Sequence, residues 1–387
     1  MILYELISFE HLRLIWWLIL GVLLIGFALT DGFDMGTGAL LPFVAKTDVE
    51  RRVVINTIGP VWEGNQVWFI LGGGAIFAAF PPLYAISFSG FYLAMFAILA
   101  ALIVRPVGFK YRSKRDDPKW RARWDAALCF GGAAPALLFG VAVGNVLLGV
   151  PFHLTPDLHS IYEGGAFMKF FGLLRPFALL CGVVSLAMMI VHGAGWLVLK
   201  TEGDIAERAR RYGVTAAKVV LVGYALAGLW LALFIDGYAL IDTPDPNGPS
   251  NPLAHAVTRS GTWLSAYADR PWIVIAPIMG FAGTVMTMRA LRSGGQISPL
   301  GWSKMAIFGM ISSVGLTMFP FLLPSNTAPD SSLTLWDASS SHQTLFVMLV
   351  ATAIFLPLIL AYTAWVYRVL WGKVTEDDVS DPDRHAY

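Results

Sequence analysis

Two stretches carry the residues most able to do chemistry, Thr30-Asp31-Gly32-Phe33-Asp34-Met35-Gly36 and Trp62-Glu63-Gly64-Asn65-Gln66-Val67-Trp68. They set three carboxylates, Asp31, Asp34 and Glu63, inside or at the edge of runs that are otherwise apolar. A charged group in hydrocarbon is costly, so an intramembrane acid marks an ion or proton route, or a counter-ion, by default. Asp31 and Asp34 are three residues apart and share one helix face. Glu63 lies about ten residues into the second apolar run, roughly 15 Å deep, while Asp31 falls near the inner end of the first. The three are expected to form a ladder from the inner side toward the bilayer centre, taking up and releasing protons. The other role open to them is to hydrogen-bond neighbouring helices.

Other reactive side chains point elsewhere. Of His11, His153, His159, His192, His255, His342 and His385, only His192 falls clearly within an apolar run. Met188 and Met189 precede it on the same helix and could not ligate the opposite face of a haem. The chain is therefore expected to hold no haem pair of its own, and His192 reads as a structural residue. Cys129 and Cys181 are single and distant, so they read as buried thiols rather than cluster or metal ligands. Gly32 and Gly36, and Gly140 and Gly144, have the spacing that lets helices approach closely. Gly72-Gly73-Gly74 lacks the Lys-Ser/Thr of a phosphate loop. Arg105, beside Pro106 at the end of an apolar run, reads as a snorkelling cation.

The elements that must position these residues are membrane helices. Hydrophobic residues make up 56% of the chain and charged ones 14%, where soluble domains carry about 25% charged. The mean hydropathy is +0.64, so the bilayer is the natural solvent. The net charge of +1 gives no reason to expect nucleic acid. Met1 to Glu10 carries two Glu and no basic residue, the wrong start for a secretory leader, so the first span is expected to stay in the mature protein.

About 20 apolar residues are needed to cross a bilayer. Nine stretches qualify: Leu14 to the Asp31 region with a continuation to Ala45, Val53–Phe80, Tyr84–Val107, Trp124–Val150, Phe170–Leu199, Thr215–Ile235, Trp272–Met288, Met305–Leu323 and Leu345–Tyr367. They lack the alternation of barrel strands. Lys110, Arg112, Lys114, Arg115, Lys119, Arg121 and Arg123 crowd one linker, and Arg51, Arg52, Arg208, Arg210, Arg211, Arg289 and Arg292 mark others on the same side. The positive-inside rule then puts the amino terminus outside and the carboxyl terminus in the cytoplasm. The chain reads as a single polytopic domain over 1–387. Its long external loop, about 236–271, is expected to be irregular, and its cytoplasmic tail, about 372–387, to be solvated.

With these residues in view, the chain resembles subunit II of the cytochrome bd-type quinol oxidases over nearly its whole length. The carrying motifs are the two acidic stretches, Ile15-Trp16-Trp17-Leu18, Leu24-Ile25-Gly26-Phe27-Ala28-Leu29 leading into Thr30, Ser89-Gly90-Phe91-Tyr92, Arg105-Pro106-Val107-Gly108-Phe109 and Gly140-Val141-Ala142-Val143-Gly144-Asn145. Further on come Ile235-Asp236-Gly237-Tyr238, Met318-Phe319-Pro320-Phe321 and Leu335-Trp336-Asp337-Ala338.

The resemblance implies an all-α membrane protein with a first helix plus two four-helix bundles, paired as a heterodimer with a haem-bearing subunit I in the bacterial cytoplasmic (inner) membrane. It implies oxidation of membrane quinol, reduction of O2 to water with protons drawn from the cytoplasm, and haems b558, b595 and d held by subunit I. Some members bind small accessory subunits, and some hold a structural quinone in this subunit. The family's proton path uses an acid at the Glu63 position, where many members have Asp. Trp68 matches a residue at the mouth of the family's O2 conduit.

Two rival readings stay open at this point. One is a proton-coupled secondary transporter, for which Gly59-Pro60 before Glu63 would be a broken helix at the midplane. The other is a structural scaffold with no proton role.

Overall fold

The computed structural model describes residues 3–380 except 163, 164, 243 and 254. His385 and the last residues of the tail lie outside the described residues. Helix boundaries follow local chemistry. Ser8 caps α1 (Phe9–Val44), its hydroxyl accepting from the His11 amide at 3.3 Å. A capping box of Thr47 and Glu50 opens α2 (Asp48–Ile58). Pro60 interrupts the chain, and the helix restarts as α3 (Trp62–Ala79). Pro81 and Pro82 then turn α4 (Pro81–Gly90) by 120° relative to α3. There follow α5 (Tyr92–Tyr111) and α6 (Pro118–Leu148), the latter with Asp117 as cap and proline in its first turn. A short α7 (Ala166–Gly172) precedes α8 (Pro176–Lys200) and α9 (Gly203–Phe234). The remainder comprises α10 (Ser265–Asp269), α11 (Ile275–Arg292), α12 (Ser298–Met318), α13 (His342–Val369) and α14 (Glu376–Ser380).

The all-α membrane reading holds, and the span list changes. Among the described residues seven helices are long and apolar enough to cross a membrane, or eight if the bent α3–α4 pair is one span, against nine expected. The helix that falls short in apolar character is α12, which is 21 residues long but carries Lys304 and four serines. The expected second span, Val53–Phe80, is two helices, because Pro60 lacks the amide that would continue α2.

Helix α1 is the axis of the molecule and packs against α3, α6, α8 and α12. Helices α8, α9, α11 and α12 form one closely packed set of four, α5 and α6 pack on each other beside it, and α13 leans on α1 and α3. Glycine explains the closest approaches. A Cβ on Gly36 would overlap the Met189 carbonyl, and one on Gly193 would stand 2.5 Å from the Gly36 carbonyl carbon, so α1 and α8 touch backbone to backbone. Gly140 and Gly144 meet Cys181 and Ala178 of α8 in the same way.

The two ends of the bundle differ. At one end lie three antiparallel hairpins, β1 (Phe152–Leu154) with β2 (Ser160–Tyr162), β3 (Asp236–Leu240) with β4 (Val257–Thr262), and β5 (Phe321–Leu323) with β6 (Leu333–Thr334). The long loop expected to be irregular thus contains β3 and β4. Tyr238 and Trp263 are buried there against Phe321, which gives the loop an apolar anchor. Arg13, fully buried, donates to the Pro246 and Gly248 carbonyls, Ser250 and Ser339, and ties the same loop to α1.

At the other end the basic linkers fold together. Arg112 and Arg51 pair with Asp125, Arg112 and Arg121 with Asp48, and Arg208 with Glu50. The tail is also less solvated than expected. The Val374 amide donates to the Lys200 carbonyl at 2.8 Å, and Val379 on α14 is 2% exposed beside α2.

Candidate functional site

Asp31 and Asp34 sit on α1 where it faces α3, α5 and α13. Helix α1 has 36 residues and is about 54 Å long, well beyond the roughly 30 Å of a hydrocarbon core. Asp34 lies ten residues before its end at Val44, about 15 Å in from the charged end. Glu63 follows the 11 residues of α2 from the same end, so it lies at a similar level. Asp31 and Asp34 belong to a buried ring of polar groups, and Glu63 lies outside it on the surface of the chain.

The ring is built from four helices. Asp31 is 0% exposed and accepts a bidentate pair from Arg105 of α5, with Nη1 to Oδ2 at 3.1 Å and Nη2 to Oδ1 closer still. Asp34, 1% exposed, accepts from Asn65 Nδ2 of α3 through Oδ2 at 2.7 Å. The Tyr367 hydroxyl of α13 donates to Asn65 Oδ1 at 2.6 Å. Arg105 is thus no snorkelling cation; it is 3% exposed and neutralises an acid that burial would otherwise make very costly. Asn65 and Tyr367 were not singled out by the sequence, the first because its motif drew attention to Glu63, the second because 302 residues separate it from its partner.

Glu63 does not join this buried group. It occupies the first turn of α3, where the helix dipole favours an anion, and its side chain is exposed on the surface of the chain. Val67, Ile70, Gly74 and Phe77 continue the same exposed stripe, while Asn65, Trp68 and Gly72 face inward. Glu63 is therefore the polar end of an apolar face. Helix α13, which packs on α3, is also largely exposed: only 6% of its most apolar stretch is buried, with Val347, Val350, Ile354, Leu358 and Trp365 outward. Trp68, 4% exposed, packs so closely on α1 that a Cβ on Gly26 would come within 2.5 Å of its ring.

His192 is fully buried, with Nε2 3.0 Å from the Leu29 carbonyl and Nδ1 2.7 Å from Ser303 Oγ. A carbonyl only accepts, so Nε2 carries the proton, and Nδ1 faces the Ser303 hydroxyl, which also reaches the Leu300 carbonyl at 2.9 Å. Both nitrogens are engaged in tying α1, α8 and α12 together.

At the charged end, burial alone would raise the pKa of Glu50. The backbone amides of Lys46 and Thr47 and the Arg208 guanidinium all donate to it and hold it below its usual range.

Residues 12–370 match the profile of the family described as cytochrome bd terminal oxidase subunit II. The chain is 46% identical over 382 residues to the cytochrome bd-I ubiquinol oxidase subunit 2 of Escherichia coli, covering 98% of this chain and 100% of that one. It is 45% identical over 381 residues to the probable cytochrome oxidase subunit 2 of Haemophilus influenzae, covering 98% and 99%. Its fold is similar to a chain of the bd oxidase from Geobacillus thermodenitrificans, with a TM-score of 0.65 at 15% identity, covering 93% of this chain and 98% of that one. The match spans the buried acids, Glu63 and the exposed stripe alike, and on that full-length similarity the chain belongs to the subunit II family of the cytochrome bd terminal oxidases.

Proposed function

We propose that this chain is the non-haem half of a heterodimeric quinol oxidase in the bacterial inner membrane. Its partner, subunit I, holds haems b558, b595 and d, oxidises quinol and reduces O2 to water. Family membership makes the chain part of a quinol:O2 oxidoreductase and leaves the secondary transporter without support. The observation that carries the rest is Glu63, a carboxylate at the head of an apolar stripe on α3. A membrane surface that is apolar but for one acid suits a helical partner that buries the acid at the interface.

In this reading α3 and α13 form the face that receives subunit I. Glu63 stands at the interface and passes protons from the cytoplasm toward the partner's oxygen-reducing centre. Asp31 and Asp34 line the inner side of the same level, and Trp68, behind Glu63 on α3, borders the O2 route. The chain crosses the membrane nine times as one domain, with α12 among the crossings. In this reading the charged end lies in the cytoplasm with the carboxyl terminus, and the hairpins and amino terminus lie outside, which the positive-inside rule supports through the basic linkers. A structural quinone and small accessory subunits fit the same assembly.

The test is purification of the membrane complex through a tag on this chain. The expected result is a co-purifying haemoprotein, a reduced-minus-oxidised haem spectrum and quinol-driven O2 consumption. A tagged chain that carried no haemoprotein and drove no O2 uptake would refute the assignment, as would haem ligated by this chain in isolation.

A further inference from the structure

Two buried polar atoms near the acids have no hydrogen-bond partner among the described residues, Asp34 Oδ1 and Thr37 Oγ1. Both residues are essentially unexposed, at 1% and 0%. Thr37 is unusual for its position. The buried threonines 57, 284, 287 and 317 each donate to a carbonyl three or four residues back in their own helix, and Thr37 does not. Asp34 and Thr37 line one small cavity, together with Arg105 and the apolar side chains of Leu41, Val54 and Ile58. The cavity has room for about one water, and a buried water needs about two to four polar partners.

The charges at the site are unequal. One guanidinium faces two carboxyls, and it forms its bidentate pair with Asp31. That geometry marks Asp31 as the ionised acid. Asp34 lines the cavity and receives a single neutral donor, the Asn65 amide, on Oδ2, while its buried Oδ1 has no partner among the described residues. The trio balances its charge when Oδ1 carries a proton.

We propose that the Asp34–Thr37 cavity is a buried water site, and that Asp34 Oδ1 is a proton-holding group bonded to that water, with Asp31 and Arg105 as its fixed ionic support. The Oδ1 proton exchanges with a proton of that water, one O–H bond forming on the carboxyl as the other breaks, so the site holds one proton at rest. The two acids of the motif then divide the work. Asp31 positions the arginine, and Asp34 exchanges. The proposal rests on the reading of this subunit as proton-conducting, but its test reads one named side chain and not turnover.

The test uses the intact complex. A cryo-EM map that resolves ordered waters should show density within hydrogen-bond distance of Asp34 Oδ1 and Thr37 Oγ1. Electrochemically induced infrared difference spectra should contain a protonated-carboxyl band that shifts in D2O and is lost in Asp34→Asn. Thr37→Val, which removes one of the water's partners, should move that band to higher frequency, and Val54→Ile, which fills the cavity from its apolar side, should do the same. An empty cavity in the wild-type map would overturn the proposal, and so would a spectrum in which Asp34→Asn removes no protonated-carboxyl band. A silent Asp34 beside a slowed Glu63→Gln enzyme would sink this site and leave the interface reading standing.

Discussion

Replacing Arg105 by Met should be among the most damaging single changes within the helices. The guanidinium is 3% exposed, and its bidentate partner Asp31 is wholly buried. Met keeps much of the volume and removes the cation, so Asp31 loses its two charge-assisted donors and stands as a lone buried charge. Breaking a buried pair from one side costs about 3–5 kcal/mol. Asp31→Asn leaves the opposite orphan, a buried guanidinium with Asp34 as the nearest remaining acid, and should cost a comparable amount.

The double variant Asp31→Asn/Arg105→Met removes both charges. It should lose less than the sum of the singles by about 2 kcal/mol or more, since directly paired residues couple by roughly 0.5–3 kcal/mol. Arg105→Lys retains the charge but not the planar fork and should fall between wild type and Met. The assay is thermal unfolding of the detergent-solubilised complex, followed by loss of the haem spectrum and arranged as a double-mutant cycle. Additive single losses, or a neutral Arg105→Met, would show that the pair is not the buried ionic support described.

Three further expectations follow from the packing, the charged end and the topology. Gly36→Ala should push α1 off α8, because the new methyl overlaps the Met189 carbonyl, with a loss of about 1–3 kcal/mol by thermal unfolding. Glu50 is held below its usual pKa, so its link to Arg208 contributes stability above the unfolded-state value near pH 4.5 and loses it as pH falls through the lower folded value. Hydrogen exchange in α2 and α9 should rise with acid over that window, and Glu50→Gln should flatten the response. Single cysteines at Lys114 and Asp245 should react with an impermeant maleimide from opposite sides of the membrane, Asp245→Cys from outside and Lys114→Cys only after permeabilisation; the reverse pattern would invert the proposed orientation.

Much of the framework was legible in the chain itself because it is written in local chemistry. Proline at 60, 81, 118 and 176 sets helix starts and breaks, and small residues at 36, 140 and 144 mark the close crossings. The acids stood out because their surroundings are apolar. The pairing of Arg105 with Asp31 was not legible, since an arginine next to a proline near the end of an apolar run looks like a snorkelling one until the 74-residue contact is known. Tyr367 and Asn65 were hidden for the same reason. A continuous helix through Glu63 is the reading the sequence suggests, and the break at Pro60 instead sets it in the first turn of α3 with its side chain on the surface of the chain. The loop hairpin and the docked tail were missed because isolated aromatic and aliphatic anchors such as Tyr238 and Val379 carry no periodic signal.

The central claim is that an acid of this chain, at the face that receives subunit I, admits the protons consumed in reducing O2. Steady-state O2 consumption by the Glu63→Gln complex, measured with saturating quinol at matched haem content, tests it most directly. The account predicts a fall in turnover of at least about 10-fold, as expected when a proton-transferring group is removed, with KM for quinol little changed and activity recovered in Glu63→Asp. Undiminished O2 consumption by Glu63→Gln, with its haem spectrum intact, would contradict it.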